Sequence, residues 1–115
     1  MESATEEQMV YRGLDGETSR NIYDEVDDRP GSIISDKGFM STSQDPMTAR
    51  IFSSYGSYRL GITVTEGTKI IDMNEKLGKA SVQKGEKEIL IDKGTKLEYI
   101  KTDDISKILY FKTIP

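Results

Sequence analysis

Apolar positions along this chain come in short groups, and their spacing changes character near residue 57. Met9 to Leu14 (MVYRGL) predicts a short strand that ends at Gly13. Ile22 and Val26 fall four apart with Tyr23 beside them, which predicts a helix from Thr18 to about Arg29, broken by Pro30-Gly31. Ser32 to Ser43 reads as extended, with Ile33-Ile34 and Phe39-Met40 as its apolar pairs. Asp45-Pro46 marks a second helix start. Aspartate can accept from the free N–H groups of a first turn, and proline is already at helical φ. That helix should run through Ala49, Ile51 and Phe52 to about Tyr55, where Gly56 stops it.

Beyond residue 57 the pattern is that of strands. Tyr58–Val64, Thr68–Met73, Lys87–Asp92, Thr95–Lys101 and Ile108–Thr113 are rich in β-branched and aromatic residues. Glu66-Gly67 and Lys93-Gly94 are turn signals between neighbours. Two stretches lack any pattern. Residues 1–8 (MESATEEQ) are polar and expected to form a flexible N-terminal segment. Asn74 to Gly85 is a long irregular loop of the kind that usually serves function. The fold class expected is α+β, mainly antiparallel strands with two short helices.

Composition narrows the chemistry. With 115 residues, 35% of them hydrophobic and 31% charged, the chain fits one small domain. The net charge of −4 argues against a nucleic-acid binder, which needs clustered Lys and Arg. There is no cysteine and no histidine. Disulfides, Cys or His metal sites, and Cys–His or Ser–His–Asp catalysis are therefore excluded. Acid–base work near neutral pH falls to carboxylates, Lys or Tyr. No apolar run approaches the roughly 20 residues of a membrane span, and no signal-peptide pattern opens the chain. The expectation is a soluble protein, cytoplasmic or delivered as a domain of a larger effector.

Three segments carry candidate chemistry. Arg12 lies in Tyr-Arg-Gly at the end of the first strand. Ser41-Thr42-Ser43 follows Gly38-Phe39-Met40. Glu86-Lys87-Glu88 follows the long loop and opens a strand that continues Ile89-Leu90-Ile91. In this order they resemble the arginine–serine–glutamate class of mono-ADP-ribosyltransferases, which includes toxin-like bacterial, phage and vertebrate cell-surface enzymes. The resemblance covers residues 9 to 101, and Glu86 to Leu97 looks like the family's closing strand and turn. It implies a fold of split, mainly antiparallel sheets with NAD+ in the cleft between strands and no metal.

The resemblance also implies roles. Breaking the nicotinamide–ribose bond passes through an oxocarbenium-like state, as glycoside hydrolysis does. Glu88 would hold the ribose 2′-OH and stabilise that charge. Glu86, two residues earlier on a strand and so roughly 6.5–7 Å away on the same face, would engage the acceptor. In this family Glu-x-Glu goes with arginine acceptors, and a carboxylate suits a guanidinium. Arg12 would hold the NAD+ diphosphate region, Gly13 would let the backbone approach nicotinamide, and Ser41 would orient Glu88. Phe52 has two readings, plain core or a platform for nicotinamide. Arg50 or Arg59 could supply a second phosphate contact, and no spacing decides between them. Val82, Gln83 and Lys84 occupy the tip of the acceptor-recognition loop.

Two departures stand against the family pattern. Only ten residues precede Tyr11, so the helical lobe of fuller members is expected to be absent and 9–115 to be the bare catalytic core. The recognition loop carries no aromatic, which leaves arginine specificity to Glu86 alone. The activity expected is NAD+-dependent transfer of ADP-ribose to a protein arginine, with a neutralising partner if the protein is a toxin. The alternatives are an NAD+ glycohydrolase and an inactive NAD-binding or interaction module on the same scaffold.

Overall fold

A computed structural model describes residues 1–35, 38, 40–51, 56–73 and 88–115. Among them run nine strands and two helices: β1 (Glu2–Ser3), β2 (Gln8–Arg12), α1 (Gly16–Val26), β3 (Ile33–Ser35), β4 (Met40–Ser43), α2 (Pro46–Ile51), β5 (Arg59–Val64), β6 (Lys69–Asp72), β7 (Glu88–Ile91), β8 (Lys96–Asp103) and β9 (Ile108–Ile114). The sheet order is β1-β6-β7-β4-β2-β5-β9-β8-β3. All neighbours are antiparallel except β5 and β9, which run parallel. The α+β architecture of mainly antiparallel strands is the one the sequence predicts.

The weakest seam of the sheet positions the site. β2 pairs with β5 along its whole length, from Gln8↔Val64 to Arg12↔Leu60. Its other neighbour, β4, meets it at one register pair, Tyr11↔Ser43. Beyond that pair the chains part, so the sheet splits into β1-β6-β7-β4 and β2-β5-β9-β8-β3.

Alternation sets which face is core. Val10, Leu60, Ile62, Val64, Ile89, Ile91, Leu109 and Phe111 all point one way and are almost completely buried. α1 lays Val26, Ile22 and Tyr23 against that cluster. Phe111 is fully buried and meets Tyr99 edge-to-face, with ring centroids 5.6 Å apart. Phe111→Ala is expected to cost about 3–5 kcal/mol, a large part of the roughly 5–15 kcal/mol that holds such a domain together. A urea unfolding curve measures this, and a midpoint close to that of the unaltered protein would show that Phe111 is not central to the core.

The helix boundaries follow their caps. α1 begins two residues before the predicted Thr18, because the Asp15 side chain accepts from the Thr18 N–H at 2.7 Å. That same hydrogen bond holds the Asp15 carboxyl below its ordinary pKa. α1 ends at Val26, three residues before the predicted Arg29, since Asp27 turns left-handed and its N–H bonds the Tyr23 carbonyl. Asp45 caps α2 as predicted, its Oδ1 accepting from the Met47 N–H at 2.9 Å. The predicted end of that helix near Tyr55 lies outside the described residues.

The polar N-terminus departs from the predicted flexible segment. Glu2 and Ser3 pair with Ile70 and Lys69 of β6. Ala4 is buried and exchanges backbone bonds with the next turn: its N–H donates to the Thr68 carbonyl, and its carbonyl accepts from Gly67. Below that turn, Thr65, Thr68 and Thr113 share their hydroxyls, with Thr68 and Thr113 only 2.6 Å apart. Backbone pairing and one small buried side chain hold this segment, and neither leaves a hydrophobic pattern. No described helix is long and apolar enough to cross a membrane.

Candidate active site

β4 brings the site together through its two faces. Met40 and Thr42 turn into the core, and the Thr42 hydroxyl donates to the Ile89 carbonyl at 2.7 Å, clamping β4 onto β7. Ser41 and Ser43 turn the other way. Ser43 is buried, and its hydroxyl accepts from the Asp45 N–H just before α2. Ser41 is exposed.

The β4–β7 register sets Ser43 opposite Glu88 and Ser41 opposite Leu90. Ser41 and Glu88 are thus diagonal neighbours on one face, the relation in which longer side chains reach across strands. They do reach. The Ser41 hydroxyl donates to Glu88 Oε2 at 2.5 Å. A carboxylate held this way keeps its second oxygen for another donor.

Arg12 closes the group from the other half of the sheet. It lies just past the Tyr11↔Ser43 pair, where β2 and β4 part, and its Nη1 donates to the Ser41 carbonyl at 3.0 Å. A guanidinium has five N–H donors, so this bond leaves most of them for a ligand. Residues far apart in sequence therefore meet at Ser41, a carboxylate on its hydroxyl and a guanidinium on its carbonyl. Gly13 follows directly, half-exposed at the lip of the split. Beside Arg12 a cavity of about 360 Å³ opens between α1 and the sheet, lined in part by Leu14, Thr18, Ile22, Glu25 and Met40.

The structure thus gathers Arg12, Gly13, Ser41 and Glu88 at one split. Phe52, Val82, Gln83, Lys84 and Glu86 lie outside the described residues, as does the side chain of Arg50. Arg59 is committed elsewhere, its Nη2 donating to the Ser106 carbonyl at 2.6 Å. Sequence reasoning missed the bond from Arg12 to the Ser41 backbone. A side-chain bond to a main-chain carbonyl requires no particular residue type at the acceptor, so no motif announces it. No group of three or more acidic residues among those described is placed to hold a metal ion.

Known proteins share this arrangement of elements. The profile of the ADP-ribosyltransferase exoenzyme family matches residues 2–112. Exoenzyme T of Pseudomonas aeruginosa is 36% identical over 100 residues, covering 85% of this chain and 19% of that protein. The chain thus spans about a fifth of the length of that relative. Among solved structures, the Salmonella SpvB ATR domain superposes with a TM-score of 0.64 at 25% identity, covering 94% of this chain and 62% of the other. C3stau2 from S. aureus, solved with NAD, gives a TM-score of 0.62 at 17% identity, covering 95% and 62%. BECa of C. perfringens, solved with NADH, gives 0.68 at 18% identity, covering 97% and 32%. At those last two identities the likeness is one of fold. With its own profile match spanning nearly the whole sequence, this chain belongs to the ADP-ribosyltransferase exoenzyme family.

Proposed function

We propose that this chain is a mono-ADP-ribosyltransferase of the arginine–serine–glutamate class, which splits NAD+ at its nicotinamide–ribose bond and passes ADP-ribose to a protein arginine. The single observation that carries this reading is the Ser41–Glu88 hydrogen bond with Arg12 fixed on the Ser41 carbonyl. The residues present fit NAD+. A guanidinium for its diphosphate and a carboxylate for its ribose lie on opposite sides of the β2–β4 join, both bonded to Ser41. Two neighbours of the same fold were solved with NAD or NADH.

NAD+ supplies the ADP-ribosyl group and, as nicotinamide leaves with the bonding electron pair, an electron-poor ribose carbon. The Glu88 carboxylate meets that carbon's ribose, and its attraction grows as positive charge develops. Ser41 keeps the Glu88 carboxylate from swinging into solvent. Arg12 binds phosphate oxygens with donors not spent on Ser41. Gly13 presents backbone without a side chain where nicotinamide must approach. Glu86 receives the acceptor guanidinium and takes its proton as the new C–N bond forms. The catalytic unit in this reading is residues 9–115, with β1 pinned along its margin.

Incubation with labelled NAD+ and agmatine, a small guanidine, tests the proposal. Nicotinamide release together with ADP-ribosyl-agmatine is expected. Nicotinamide without adduct would replace transfer by NAD+ glycohydrolysis, a reading that the exposure of Ser41 to water favours. Absence of both products would leave an interaction module on a transferase scaffold.

A further inference from the structure

One apolar side chain stands apart from the rest of the surface. Ile105 is 98% exposed, whereas Met47, the next most exposed large apolar residue described, is 56% exposed. Ile105 sits at the apex of the turn between β8 and β9, and that turn is held from several sides. Asp103 Oδ1 accepts from the N–H groups of Ile105 at 3.0 Å and Ser106 at 3.2 Å. Arg59 reaches under it, its Nη2 on the Ser106 carbonyl and its backbone N–H on the Lys107 carbonyl. The Tyr58 hydroxyl donates to Asp104 Oδ1 at 2.7 Å, and Lys107 Nζ lies 4.9 Å from the centre of the Tyr58 ring. A flexible loop can hide an apolar tip by folding back, but this one cannot. Its ordering entropy is already spent, the condition under which a side chain anchors a partner most effectively.

The turn also sits at the edge of the sheet where the active site opens. β9 starts directly after it, with Ile108 beside Arg59 and Leu109 beside Leu60. Leu60 in turn faces Arg12. β9 is therefore two strand spacings from Arg12 and four from β7, which carries Glu88, a distance of roughly 19 Å. An interface of ordinary size, about 800 Å² per partner, spans that distance. Any protein that presents a side chain to the Ser41–Glu88 site thus comes within reach of Ile105. Asp103 and Asp104 precede the knob, and Lys107 follows it with its Nζ over the Tyr58 ring, so the surface it fits is apolar at the centre with a basic rim on the side of the aspartates.

We propose that Ile105 is a docking knob for the protein acceptor, seated in an apolar socket with a basic rim beside the residue to be modified. The proposal rests on the protein-arginine reading above. It assigns Ile105 to acceptor recognition and gives it no part in NAD+ cleavage. Small guanidines do not reach the knob.

The test compares Ile105→Asp and Ile105→Leu with the unaltered chain in three assays: nicotinamide release, transfer to agmatine, and labelling of proteins in a eukaryotic cell extract. Ile105→Asp should lower the rate of protein labelling at least about tenfold, the loss expected at an anchoring residue. Nicotinamide release and agmatine transfer should stay within about twofold, and Ile105→Leu should keep most protein labelling. Protein labelling unaffected by Ile105→Asp overturns the proposal, as does a loss that merely parallels nicotinamide release. An extract in which the unaltered chain labels no protein counts against it too. Failure of the unaltered chain on agmatine alone sinks the arginine assignment instead, and the Ile105 comparison is then read on whichever protein is labelled.

Discussion

Glu88→Gln is expected to reduce both nicotinamide release and ADP-ribose transfer by about 10²–10³-fold or more, the range seen when one preorganised electrostatic partner is removed from a transition state. The substitution is close to isosteric, and the glutamine carbonyl can still accept the Ser41 hydroxyl bond that now ends on Glu88 Oε2. What disappears is the charge. Glu88 is half-buried at the start of β7 and lies on the face away from the core, so the fold has no need of it. Unfolding by urea should therefore be unchanged while both products vanish together. Both must fall under the proposed roles, because cleavage precedes transfer and Glu88 is assigned to cleavage. Residual nicotinamide release within tenfold of the unaltered chain would sink the assignment, and with it the reading of the Ser41–Glu88 pair as the reacting centre.

Most of the fold was legible in the residues, and the reason differs from element to element. In β5 the alternation of Leu60, Ile62 and Val64 marked a strand with one buried face, and that face is the core. Asp45-Pro46 marked the start of α2 because capping chemistry is local and needs no tertiary partner. β1 was invisible for the opposite reason: Glu2 and Ser3 are held by backbone pairing with Lys69 and Ile70, which any side chain permits. The site divides in the same way. Arg12, Ser41 and Glu88 could be picked out as a set only because three short motifs occur in one order. Their contact comes from a diagonal register between β4 and β7 and from the parting of β2 and β4 after one pair. A one-residue slip of β7 against β4 would move Glu88 to the core face, and no motif excludes that slip. Burial of Ile89 and Ile91 does. Ile105 was missed entirely, since its significance lies in how firmly Asp103, Arg59 and Tyr58 hold its turn.

Glu86→Gln is expected to divide the two activities that Glu88→Gln removes together. Glu86 precedes Glu88 by two residues. On extended backbone two such side chains share a face about 6.5–7 Å apart, enough for one to serve the ribose and the other the incoming acceptor. A carboxylate can accept two parallel N–H bonds from a guanidinium and then take its proton; an amide can do neither well. Arginine transfer should therefore fall about 10²-fold or more, within the range of general-base contributions. Nicotinamide release, which needs no acceptor, should stay within about threefold. The measurement follows both products in one reaction with labelled NAD+ and agmatine, so that enzyme concentration and folding cancel between the channels. Equal loss in both would mean that Glu86 acts with Glu88 on NAD+ itself, and the division of labour between the carboxylates would fall. Loss of neither would move acceptor recognition away from Glu86. Since residues 74–85, the stretch assigned by resemblance to acceptor recognition, include no aromatic to share that task, protein surface beyond the cleft, Ile105 included, would then have to carry it alone.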